Sequence, residues 1–222
     1  MLDVLLATLP LSVAAAVSAT SFVIFFAILA GQSHQIRNGF AFLVGSFVAN
    51  SIIALLVVFV SASPPAAHSN PHNLGHAIGD FAIALLALVI LGWKFHRNRH
   101  PKAAKDSVKP SGMLAYGIYG LVLRSLSANC LPPYLAAIHY AAVAHQLNGH
   151  EVLFSSLIIN LVSLFPLISA FLLFALFRER ALALLKPVSE FLDRNKDRIF
   201  YIVLAVVAAY LIAKGFGHLR AS

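Results

Sequence analysis

Charged residues and cysteine are what this chain has least of. Only 11% of its 222 residues are charged, too few to clothe a soluble domain of that size. A single cysteine, Cys130, excludes an intramolecular disulfide. No phosphate-binding glycine-rich loop, no HExxH and no nucleophile elbow occurs. An ATP-driven pump or a membrane protease therefore has no support, and the chain reads as a non-enzyme that uses no cofactor. Carboxylates are rarest of all, eight against sixteen Lys and Arg. None lies deep in an apolar run, so carboxylate-based proton coupling has no carrier here.

What the chain has in quantity is apolar surface. Hydrophobic residues make up 60% and the mean hydropathy is +0.85, the composition of an integral membrane protein. Met1-Leu2-Asp3 offers no basic region ahead of a long apolar run, so no cleaved signal peptide is expected. Six runs are candidates to cross a hydrocarbon core, which takes roughly 20 helical residues. They lie near 4–30, 39–61, 77–96, 113–145, 152–177 and 199–217. The fourth is anomalous. Its 33 residues would make a rod of about 50 Å, too long to cross upright, so it must bend or break. Pro132-Pro133, in the polar stretch Ser127 to Tyr134, marks the place, because proline lacks an N–H and pushes the preceding residue out of the α region.

A net charge of +8 would suit nucleic acid, but the basic residues cluster at the ends of apolar runs, where a membrane explains them better. Thirteen fall in the 1–2, 3–4 and 5–6 connections and two, Lys214 and Arg220, on the other side. The positive-inside rule then places both termini outside the plasma (bacterial inner) membrane. Residues 178–198 mix Leu and Phe with six basic and four acidic residues, the pattern of a short interfacial helix on the cytoplasmic surface.

The two halves of the chain resemble each other. Ser18 to Ser21 aligns with Ser127 to Cys130 at a shift of 109, while Asn38-Gly39 aligns with Asn148-Gly149, and Asn50 with Asn160, at 110. Three spans per copy is an odd number, so the second copy must insert upside down. The expectation is an all-α, six-span protein of two inverted three-helix repeats: residues 1–97, a basic linker 98–112, and 113–222. Such an architecture sets the substrate site near mid-membrane, where the broken segments of spans 1 and 4 meet.

With this layout, the polar break Ser18 to Ser21, the Arg37 to Gly45 entry to span 2 and the break Ser127 to Pro133 resemble the lysine-exporter (LysE/RhtB) superfamily, most closely its GAP or Sap-like branch. The resemblance implies a transporter that exports a small polar or amphipathic solute by alternating access. It also offers a different role, that of a non-transporting accessory subunit of a lipid or envelope export system. Its partners would be the solute, the bilayer and either a second copy or a larger export complex. Cys130-Leu131-Pro132-Pro133 is also similar to elements of thiol-reductant membrane proteins. Ser21 stands where those proteins have a second cysteine.

The candidate substrate-binding residues are Ser18, Thr20, Ser21, Asn50, Arg124, Ser127, Asn129, Pro132, Pro133, His139 and Asn160. Arg124 either binds an anionic group or snorkels to the cytoplasmic surface. His139 is either a proton carrier or a neutral imidazole bonded to a carbonyl. The three asparagines either coordinate substrate or join helices. Ser51 and Ser163 read as small residues that let helices pack closely. A separate reading is divalent metal efflux: His68, His72 and His76 recur every four residues ahead of Asp80, and imidazole with carboxylate suits zinc, nickel or cobalt. Pro71 and Gly75 interrupt the helix that would align them.

Overall fold

The computed structural model describes residues 2–31, 34–62, 112–127, 130–143 and 149–220, and every regular element among them is an α-helix. In chain order these are α1 (Leu2–Ala16), α2 (Ala19–Leu29), α3 (Gln35–Ala62), α4 (Met113–Ser125), α5 (Leu131–Val143), α6 (Gly149–Phe177) and α7 (Glu179–Arg220). Two helices, Gln35–Phe59 and Gly149–Phe177, are long and apolar enough to cross a membrane. A third span exists if Val4–Ala16 and Ala19–Leu29 are counted together, which meet at a bend of 56°. The expected third span, residues 77–96, and all but the last residue of the linker 98–112 lie outside the described residues.

The helices turn their polar residues inward and keep their outer faces apolar. Along α3, Phe40, Val44, Val48, Ile52, Leu55, Leu56 and Phe59 form an exposed stripe at helical spacing. The opposite face carries Asn38, Gly39, Ala41, Phe42, Ser46, Ala49 and Asn50, all buried. A soluble helix would reverse the two. In lipid the arrangement costs nothing, and the polar face must find its partners within the protein.

Two apolar clusters fill the interior. One joins Val4, Leu11 and Ala15 of α1 to Ala54 of α3, Tyr134 to Ala141 of α5 and Ile159 of α6. The other joins Phe22 to Leu29 of α2 to Phe42 of α3, Leu164 to Phe174 of α6 and Ala181 and Leu185 of α7. Because the late half of α3 meets the early half of α6 in the first cluster and the reverse holds in the second, α3 and α6 run antiparallel. Between the clusters lies a polar layer.

Glycine sets how closely α4 approaches α3. A Cβ at Gly45 would drive into the backbone carbonyl of Gly117, and one at Gly120 into that of Phe42. Small residues bring helix backbones together in this way where no hydrophobic effect drives association.

Both apolar runs expected to bend are interrupted. Span 1 turns at Val17 and Ser18, where the Ser18 N–H bonds Ala16 rather than the residue a full turn back. In the fourth apolar run α4 ends at Ser125 and α5 starts at Leu131, one residue ahead of the double proline. Pro132 and Pro133 occupy its first turn, where a missing N–H is no loss and the fixed φ suits the helix.

The segment 178–198 differs from its expectation as a separate surface helix. It is the first half of α7, which runs unbroken to Arg220. Ala181, Leu185 and Ser189, at i, i+4 and i+8, are buried, and the first two pack on α2. That stripe holds the charged stretch in the bundle, and no glycine stops the helix before Gly215. One residue, Arg178, joins α6 to α7, with φ of 43° in the left-handed region.

Candidate functional site

Asn50 is the sixteenth of 28 residues in α3 and Asn160 the twelfth of 29 in α6, so each sits near the middle of a spanning helix. Their side chains meet. Asn50 Nδ2 donates to Asn160 Oδ1 at 2.9 Å and to Ser163 Oγ at 3.0 Å. Asn160 Nδ2 in turn donates to Ser51 Oγ at 3.1 Å and to the Phe47 carbonyl at 3.4 Å. Ser163 Oγ donates to the Asn160 carbonyl at 2.8 Å, and Tyr134 Oη, from α5, to the Asn50 carbonyl at 2.9 Å. Three helices are thus clamped at one level by groups that lipid could not satisfy.

Arg124 enters this layer from the end of α4. It is 3% exposed, so it does not snorkel; its side chain turns inward. Nε donates to Asn50 Oδ1 at 3.1 Å and Nη2 to the Ser163 carbonyl at 3.2 Å. These bonds use two of the five N–H groups of the guanidinium. Both partners are neutral, and no carboxylate pairs with Arg124 among the described residues. A buried cation without a counter-ion is costly in a low-dielectric interior. The arrangement is suited to receive an anion.

The other expected residues are distributed around this centre. Ser18 and Ser21 are buried at the span 1 break, where Ser18 Oγ donates to Ser21 Oγ at 2.9 Å; among the described residues they bond each other and not the asparagines. Thr20 and Ser127 are half-buried, Pro132 and Pro133 are buried in the first turn of α5, and His139 is half-buried further along it. The Ser127 carbonyl accepts the Leu131 N–H at 3.1 Å. Cys130 is buried and reduced. Asn129, His68, His72, His76 and Asp80 lie outside the described residues.

Ser51, Ser163 and Tyr134 were the members of the layer that sequence reasoning did not place at the site. The signal was there for Ser163: three residues past Asn160, it must share that residue's face of the helix. Ser155, also on α6, is fully buried and its hydroxyl has no hydrogen-bond partner among the described residues.

The Asn50 to Asn160 bond can be weighed directly. Alanine at each position and at both should reveal a coupling of about 0.6 to 1.7 kcal/mol, the range for interhelical hydrogen bonds in a membrane, in a double-mutant cycle of unfolding in detergent. Additive single effects would mean that the bond contributes nothing.

Apolar helices turned outward and a polar, cationic layer turned inward define an α-helical integral membrane protein with an internal polar site. More particularly, the family model described as Sap, sulfolipid-1-addressing protein, matches residues 8–217. The chain belongs to that family, whose description names a sulfolipid. No curated protein and no solved structure matches it.

Proposed function

We propose that this protein is a carrier that exports an amphipathic molecule bearing an anionic group by alternating access across the plasma membrane. The observation that carries the reading is Arg124, buried without a carboxylate among the described residues and held between α3 and α6 at the level where spans 1 and 4 bend. A guanidinium so placed recognises phosphate, sulfate or carboxylate through its remaining donors.

An inverted repeat of two three-span units supports the mechanism. Asn50 and Asn160 align at a shift of 110 and bond each other, and two repeat-related residues can touch only beside the axis that relates them. Packing follows the same rule, for α4 lies on α3 as α1 lies on α6. Both units would rock about this axis, as in the lysine-exporter superfamily, with the basic connections on the cytoplasmic side and both termini outside.

The test is flux. Full-length protein in proteoliposomes should move a fluorescent lipid with a phosphate or sulfate head faster than a zwitterionic one. Arg124→Gln should lower that flux at least tenfold while Arg124→Lys keeps part of it. Equal flux from wild type and Arg124→Gln would remove the reading. A second reading, an accessory subunit that directs a lipid to a larger exporter, is favoured by the word "addressing" in the family's description. Absence of wild-type flux together with stoichiometric co-purification of a larger transporter would establish it.

A further inference from the structure

A second basic site lies at the end of the bundle where α3 begins and α6 finishes, which the charge rule makes the cytoplasmic end. A cleft of about 530 Å³ opens there between Arg37 and Phe40 of α3, Phe171 and Phe174 of α6, Arg178 and His34. Its chemistry is divided. Phe40 and Phe171 lie with ring centroids 6.2 Å apart; Phe40 is half exposed and continuous with the outward apolar stripe of α3. Arg37, Arg178 and His34 are exposed at the rim, and no acidic side chain lines the cleft among the described residues.

We propose that this cleft seats one anionic lipid of the cytoplasmic leaflet, its phosphate or sulfate head between Arg37 and Arg178 and the start of its acyl chains along Phe40 and Phe171. Three observations select that occupant. Two arginines without a lining carboxylate attract an anion, and Arg binds tetrahedral oxyanions through paired donors. The aromatic wall leads outward to lipid rather than to water, which suits a chain attached to the head group. The two arginines come from opposite halves of the chain yet line one cavity. The site is separate from the Arg124 layer and does not rest on the export reading.

Native mass spectrometry of the full chain, released from micelles doped with phosphatidylglycerol or phosphatidylcholine, tests this. Wild type should retain one phosphatidylglycerol and little phosphatidylcholine. Arg37→Gln with Arg178→Gln should cut retained phosphatidylglycerol about tenfold, the Arg37→Lys, Arg178→Lys pair should keep most of it, and Arg124→Gln should leave it unchanged. Phe40→Ala should weaken retention of the lipid but not of inorganic phosphate. Unchanged retention by the Gln pair overturns the proposal. So does displacement of the lipid by millimolar inorganic phosphate, which would make the cleft a site for the free ion. A melting temperature for the Gln pair matching wild type shows that loss of lipid is not loss of fold; if that pair fails to fold, an unchanged retention by Phe40→Ala overturns the proposal instead.

Discussion

Valine in place of Gly45 should leave almost no folded protein. The added Cβ meets backbone, the Gly117 carbonyl, not the yielding end of a side chain. Ordinary overpacking costs about 1 to 3 kcal/mol because neighbouring side chains shift; here the whole of α4 would have to withdraw from α3. Withdrawal would carry Arg124 away from Asn50 and Ser163, leaving a buried guanidinium with no partner at either end of its two bonds. The measurement is the monodisperse yield of a fluorescent fusion on size exclusion. Gly149→Ala is the control, since nothing lies within 4 Å of a Cβ there and its yield should match wild type. A Gly45→Val protein as abundant and stable as that control would mean that α3 and α4 do not approach as described.

Asn50→Asp should have the largest effect on function with the least on fold. It replaces the amide oxygen 3.1 Å from Arg124 Nε with a carboxylate. Two unit charges about 4 Å apart interact by about 4 kcal/mol at an effective dielectric of about 20, equal to roughly a thousandfold in affinity for an arriving anion that must displace the new partner. Stability moves little, because the new ion pair offsets the Nδ2 bonds to Asn160 and Ser163 that aspartate cannot make. The expected result is near-complete loss of anionic-lipid flux with a melting temperature within a few degrees of wild type. Wild-type flux from Asn50→Asp would show that Arg124 does not anchor the cargo.

Much of this was legible before any coordinates. The shift of 110 residues singled out Asn50 and Asn160 as a pair, and the structure joins them with a hydrogen bond. An apolar run too long for the bilayer implied a break in the fourth run, and two helices, α4 and α5, stand there in place of one. Depth and direction were not legible. Whether Arg124 points to the membrane surface or to the interior depends on the rotation of α4 about its axis, and that is set by the glycine contacts with α3, which no local pattern reveals. The first half of α7 misled for a related reason. Its charges read as a solvated surface helix, whereas three positions spaced by four, Ala181, Leu185 and Ser189, decide where it packs. The cleft at the basic end was invisible because its two arginines are far apart in sequence and no local pattern joins them.

Arg178 is the whole of the connection between α6 and α7, and that brevity fixes a phase relation. An α-helix advances about 100° per residue, so one residue more or less at this corner would turn the full length of α7, about 63 Å for its 42 residues, by more than a quarter revolution. Ala181 and Leu185 would swing off α2, and a charged residue, Arg180 or Lys186, would take one of the two places. The corner therefore works as a gear tooth: α6 cannot roll without α7 rolling with it, and length variation in this chain has to fall elsewhere.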